Sequence, residues 1–177
     1  MKEKCTLANT ISISYDSDRE DGFSISNGAT SVLISVIGLS GSKIAKSDEE
    51  KKFIIWILEK DQSCCGIGTV GFELSELPWS KKNFENERKF MLEVLEGVRN
   101  KVGWETLDYH PNEEIINYCI DKLENMFNKM TSCDIDEQAI NEWRSETEKE
   151  EPMNNGFPKC KKHGVLLTLF GCHVCND

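Results

Sequence analysis

Along the chain the first regular pattern is an alternation. Residues Thr10 to Tyr15 read polar, apolar, polar, apolar, polar, aromatic, and Phe23-Ser24-Ile25-Ser26 repeats the period after the acidic turn Asp16 to Gly22. A period of two marks a half-buried strand, so the two stretches predict an N-terminal β-hairpin whose end is punctuated by Asn27-Gly28. Val32 to Ile37 is apolar throughout. Its β-branched residues suit a strand and its length before the next turn suits a buried helix, with the balance toward helix. Gly38 to Ser42 is rich in small residues and reads as a loop.

The period then changes to that of helices. Ser47, with Glu50 three residues on, forms a capping-box signature. The helix it opens would turn Phe53, Ile54, Ile57 and Leu58 inward, carry Trp56 at its edge and end near Asp61. Cys64 to Phe72 follows as a glycine-punctuated loop or short strand leading to Leu77-Pro78-Trp79. Between Ser80 and Lys101, Phe84, Met91, Val94, Leu95, Val98 and Val102 recur at helical spacing, with Ser80 as the cap and Gly103 as the stop. A loop holding Trp104, Leu107, Tyr109 and His110 crosses to Pro111, which suits the first turn of the next helix. There Ile115, Ile116, Cys119, Ile120, Leu123, Met126, Phe127 and Met130 form the broadest apolar stripe, which predicts the centre of the core.

From Cys133 to Glu151 the chain is mostly acidic, with a net charge of −6, yet Ile135, Ala139, Ile140 and Trp143 keep a thin apolar stripe. This predicts a docked surface helix rather than a free tail. Pro152 to Gly156 breaks it. The pattern as a whole predicts a predominantly helical α+β domain over residues 1–152, a linker at 153–156 and a small appendage over 157–177.

Composition narrows the class of protein. At 38% hydrophobic and 29% charged residues the chain is that of a folded protein rather than a disordered one. No run approaches the roughly 18 apolar residues of a membrane span, and the N-terminus lacks the apolar core of a signal peptide, so the expectation is a cytoplasmic protein with no membrane partner. The net charge of −10 sits in the body, because residues 157–177 carry a local +2. Such a body repels phosphate backbones and favours a basic protein partner.

In a reducing compartment closely spaced cysteines more often bind metal than form disulfides. Cys160-x-x-His163 and Cys172-x-x-Cys175 stand eight residues apart, each pair on the two-residue gap that lets one tight turn aim two donors at one ion. Gly164 and Gly171 supply backbone freedom beside the pairs, and Val165 to Phe170 is β-prone enough to form a hairpin between them. The appendage has too few residues to fold on burial alone, so metal binding would supply most of its folding free energy. It resembles the short zinc ribbons with a C-x-x-H-G first knuckle and a G-C-x-x-C second knuckle found in many bacterial and phage proteins. That resemblance implies a structural Zn2+ held by Cys160, His163, Cys172 and Cys175, a closed set with no open position for catalysis. His173 offers a competing nitrogen. The other cysteines, Cys5, Cys64, Cys65, Cys119 and Cys133, read mostly as buried small apolar residues; the adjacent Cys64-Cys65 could also be a redox or nucleophilic thiol, but the sequence identifies no base or positive charge to activate it.

Gly66-Ile67-Gly68-Thr69-Val70-Gly71 spells a dinucleotide-binding fingerprint, but no helix can begin between Phe72 and Pro78 to receive a pyrophosphate, so it reads as a tight turn in a buried loop. His110 lies among Glu105, Asp108, Glu113 and Glu114, which reads as a surface-loop histidine beside helix-dipole acids or as a general base or metal ligand. Trp79, Trp104 and Tyr109 read as lids on the core. Three functions follow. The first is a non-enzymatic acidic binding protein, similar in type to the immunity proteins that neutralise toxins in bacterial competition, whose acids along 134 to 151 would occlude a cationic cleft. The second is a zinc-ribbon adaptor contacting nucleic acid, or a nucleic-acid machine, through Lys159, Lys161 and Lys162. The third is an enzyme with a site between the Cys64 to Trp79 loop and His110.

Overall fold

A computed structural model describes residues 9–14, 21–149 and 153–175. Cys5, Tyr15, the acidic residues Asp16 to Glu20, Glu150, Glu151, Pro152 and Asp177 lie outside the described residues. The fold is a predominantly helical α+β arrangement with a small N-terminal sheet.

Strands β1 (Asn9–Ser12) and β2 (Gly22–Ile25) pair antiparallel, Ile11 facing Phe23, as the alternation predicts. A third strand, β5 (Phe72–Glu73), joins β1 in parallel on its other edge. Gly71 precedes it where a Cβ would run into the backbone of Thr10, so only glycine lets the two strands approach. A two-stranded ribbon, β3 (Asp61–Gln62) and β4 (Gly68–Thr69), holds the glycine-rich segment. Gly66 and Gly68 take positive φ there, and β5 and a one-turn 3-10 segment at Leu74–Glu76 follow instead of an α-helix, which is the tight-turn reading. The turn is at the surface rather than in a buried loop, with Ile67 63% exposed, because the ribbon is too short to carry its tip inward.

Helix α1 runs from Asn27 to Ile44 and differs most from expectation. Val32 to Ile37 is helical, but so are Asn27-Gly28 and Gly38 to Ser42, which read as turn and loop. Ser26 caps it by accepting from Ala29 N at 3.2 Å. From Leu33 to Ser42 every residue is buried, so α1 and not the later amphipathic helix is the centre of the core. Its small residues admit neighbouring backbones. A Cβ on Gly38 would stand 2.5 Å from Leu58 Cδ2, and one on Gly41 would overlap Ile54. In a loop the same residues would have signalled flexibility; here they are the floor on which two helices lie.

Helix α2 (Asp48–Leu58) has the predicted capping box, Ser47 Oγ accepting from Glu50 N while the Glu50 carboxylate accepts from Ser47 N. Phe53 to Leu58 are buried in sequence, Trp56 included. Trp56 is not at an edge because α2 is covered on two sides: Phe72 meets its ring edge-on at 5.6 Å and Lys60 Nζ lies 3.8 Å over its face.

Helix α3 (Phe84–Arg99) starts later than Ser80. Residues 81–83 make a turn, and Ser80 N donates to the buried Glu87 carboxylate at 2.8 Å instead of Ser80 capping the helix. Trp79 fills the space beneath, packed on Phe53, Phe84 and Phe127 with its Nε1 donating to Leu74 O, as a core lid should. Helix α4 (Glu113–Lys129) is capped by Asn112 and buries all of its predicted stripe except Ile115, which is 42% exposed. Helix α5 (Glu137–Thr147) is docked as predicted, with Ile140 buried, Trp143 Nε1 donating to Glu59 at 2.8 Å and Arg144 donating to Pro78 O at 3.2 Å. Among the described residues no helix is long and apolar enough to cross a membrane.

The packing of α1 generates a matched pair of tests. Gly41→Val should lower stability by about 1–3 kcal/mol, the usual cost of overpacking. Gly28→Ala, where a Cβ meets nothing within 4 Å, should leave stability unchanged or raise it by about 0.5–1 kcal/mol through the unfolded chain. Urea unfolding midpoints with unchanged slopes measure both; equal effects at the two positions would contradict the close-packing account.

Candidate metal centre

After a 3-10 turn at Met153–Asn155 that buries Met153, the chain makes two tight turns. In the first, Gly164 N returns to Cys160 O at 2.8 Å and Cys160 N donates to Val165 O at 2.8 Å. Gly164 takes φ +68° and Gly171 φ +84°, the left-handed conformation for which glycine stands at both places. The segment between them is not one continuous hairpin. Lys159 bridges Leu166, while Thr168 bridges Gly171, so each turn closes on itself and Val165 and Leu166 drop into the core.

These turns bring the four predicted donors together, all within 4.8 Å of one another. Cys160 Sγ lies 3.6 Å from Cys175 Sγ, and His163 Nδ1 lies 3.7, 3.8 and 3.1 Å from the sulfurs of Cys160, Cys172 and Cys175. Two thiolates bound at about 2.3 Å to one tetrahedral ion stand about 3.8 Å apart, so the cluster has the dimensions of a single four-coordinate site. His163 and Cys172 are 5% exposed.

The electrostatics point the same way. Burial works against a thiolate at Cys160, yet the backbone N–H groups of His163 and Lys162, and then the His163 ring, outweigh it and bring this thiol down to about 6. Burial pushes the Cys172 thiol up against the opposing backbone N–H groups of Cys175 and Val174. Cys175 is pushed up to about 12, first by desolvation and then by its contacts and shared charge with the other two sulfurs. One thiolate is welcome in this cluster and three are not. A divalent cation supplies the charge that would let all three ionise, and the donors present fit one.

The cluster is seated on the body through groups that local pattern does not reveal. Ser42 of α1 accepts from Leu166 N at 2.9 Å through its Oγ, and its carbonyl accepts from Lys159 Nζ. At the other end of α1, His173 Nε2 donates to Ser31 O at 3.2 Å while its Nδ1 faces the Asp61 carboxylate at 3.4 Å. His173 thus turns away from the donor cluster rather than competing in it. Burial lowers its pKa, against the pull of Asp61 and of the Ser31 carbonyl. Ser31, Ser42 and Asp61 carried no signal in the sequence, since a serine inside a helix and an aspartate after one look alike wherever they face.

The other candidates are not assembled. His110 is exposed, and two of its neighbouring carboxylates are ion-paired elsewhere, Glu105 with Lys43 and Glu113 with Lys101. Trp104 is partly buried and Tyr109 40% exposed. Cys119 is buried as expected, but Cys64, Cys65 and Cys133 are exposed: each lies in a one-turn 3-10 segment at the surface, where no second layer covers it. A cavity of about 50 Å³ does border Cys64, but it is walled by the C-terminal turns, with Phe170, Cys172 and His173 among its lining, and His110 is not part of it. That volume is room for a few waters and not for a substrate.

No protein family, curated protein or solved structure matches the chain.

The seating contacts predict that metal binding and docking can be separated. His173→Ala should leave metal stoichiometry intact while raising amide exchange across 165–175. Cys172→Ser should lose the metal and raise exchange over the same residues. Loss of metal in His173→Ala would show that His173 belongs to the coordination sphere.

Proposed function

We propose that this protein is a non-enzymatic acidic binding protein whose C-terminus is held by one structural Zn2+ and whose α5 face engages a basic protein partner, in the manner of an immunity-type inhibitor. Zinc is favoured over other cations by the donor set, three sulfurs and one imidazole in closed tetrahedral dimensions. With four protein donors the ion has no position left for substrate, so its part is to fold the C-terminal turns.

The observation that carries the binding role is the way α5 is mounted. Its inward side is anchored to the body at four points, Ile140 in the core, Trp143 on Glu59, Arg144 Nη2 on Pro78 O, and Asp136 N on Ser75 O at 3.0 Å, while Arg144 Nε is buried without a hydrogen-bond partner among the described residues. Its outward residues Asp136, Glu137, Glu142 and Glu146 are exposed. Glu137 meets Lys81, while Glu142 and Glu146 have no ion pair among the described residues. A rigid row of carboxylates in a body of net charge −12 attracts a cationic surface from a distance and holds it in one register. The nucleic-acid alternative would rest on Lys161 and Lys162, since Lys159 is committed to Ser42, and two lysines are few against such a body.

Two measurements test this reading. Elemental analysis of protein purified without added metal should give one zinc per chain, lost in Cys172→Ser; another metal, or none, refutes the zinc assignment. Affinity capture from the native host at low and moderate salt should recover a basic protein, with binding weakened at least tenfold, about 1.4 kcal/mol, in the Glu142→Lys/Glu146→Lys double variant. Recovery of nucleic acid alone, lost when Lys161 and Lys162 become glutamate, would replace this function with the adaptor.

A further inference from the structure

Beside the C-terminal turns, across a small cavity that Cys64 and Cys172 both line, the ribbon of β3 and β4 ends in the turn Ser63–Cys65. It presents two neighbouring thiols, both exposed, with Cys64 Sγ and Cys65 Sγ 3.7 Å apart. The turn beneath them is held. Ser63 N donates to Asp61 Oδ1 at 2.9 Å, Ser63 Oγ donates to the same oxygen, Gly66 N closes on Ser63 O at 2.9 Å, and Asp61 is itself fixed by Ser31 and faces His173. Adjacent side chains normally point apart; here a one-turn helix, stopped by left-handed Gly66, brings both sulfurs to one side.

The separation decides what the pair can do. A disulfide needs sulfurs about 2.05 Å apart, which would pull the turn out of the geometry that Asp61 holds. Two sulfurs bound to a single soft centre at about 2.3 Å stand between roughly 3.3 and 3.8 Å apart, and so need almost no movement. We propose that Cys64 and Cys65 form a two-thiolate site for a soft trivalent centre of the arsenical type, separate from the C-terminal donor cluster. With an organoarsenic(III) oxide the balance is simple. The arsenic–oxygen double bond is replaced by two arsenic–sulfur bonds, the two thiol protons leave with the oxygen as water, and arsenic stays trivalent, so no oxidant or reductant is required. The substituent on arsenic points to solvent, because the neighbouring cavity of about 50 Å³ is too small for a ring.

The test uses the full-length, metal-loaded protein and phenylarsine oxide as the probe. One equivalent should give one adduct by intact-protein mass, stable to excess monothiol, removed by 2,3-dimercaptopropanol, and formed with no loss of zinc. Cys64 and Cys65 should be protected together from iodoacetamide. Cys64→Ser and Cys65→Ser should each weaken binding on the order of 100-fold, the loss expected when a second contact is no longer intramolecular, whereas Cys133→Ser should not change it. Both thiols are exposed, and zinc content reports whether the variants remain folded. The site is refuted if no adduct forms, if the adduct survives in the double serine variant, or if it appears only as zinc leaves and maps to Cys160, Cys172 and Cys175.

Discussion

The structure depends on how closely other backbones can approach α1. This helix is buried on all sides over Leu33 to Ser42, and an all-buried helix must have neighbours that reach its axis on every face. Glycine and serine make that possible. Gly38 and Gly41 receive Leu58 and Ile54 of α2, and Gly97 of α3 leaves room for Ser40, whose Oγ donates to Val94 O at 2.7 Å. The hydroxyls within this stripe are each spoken for by a carbonyl or an amide, so close approach is achieved without stranding polar groups in the core. Once α2 and α3 lie at that distance, the aromatic set Phe53, Trp79, Phe84, Phe90 and Phe127 has one place to pack, and α4 closes over it.

The same stripe seats the C-terminal turns. Ser42 is the last small residue of the series, and its hydroxyl and carbonyl are both used by the appendage, on Leu166 and Lys159. Ser31, near the other end of α1, takes His173. The turns that carry the four donors are thus pinned at two points along the central helix, and Val165 and Leu166 become part of the core. An ion held by these four donors would couple its own binding to the stability of the body.

How much of this could be read in the sequence follows from the range of the interactions involved. The capping box at Ser47, the α4 stripe, the docked acidic helix and the four donors were all legible, because each is written within a few residues of itself. The centre of the core was not. Gly38 to Ser42 has the composition of a loop, and only the presence of Leu58, Ile54 and Val94 across the contact makes it a helix face. For the same reason the stripe of α4, stronger in pattern, marks a helix exposed on one side, while the weaker pattern of α1 marks one covered on all. The exposed thiols of Cys64 and Cys65 and the outward turn of His173 likewise depend on what stands opposite them, which periodicity does not encode.

That division bears on where function can reside. The four donors lie on turns that are seated on α1 and, through His173, on Asp61. Of the aromatic residues, Trp79 is absorbed by the core with its Nε1 on Leu74 O and Trp56 lies beneath Lys60, while Trp104 is partly buried and Tyr109 stays exposed. The outward face of α5 carries charge. Docking α5 through Trp143 and Arg144 spends the groups on its inner side and fixes the carboxylates on its outer side relative to a rigid body. Solubility alone would be served as well by carboxylates on a loose tail. Mounting them on a docked helix adds a defined spacing, and a defined spacing of like charges matters to a partner that must match it.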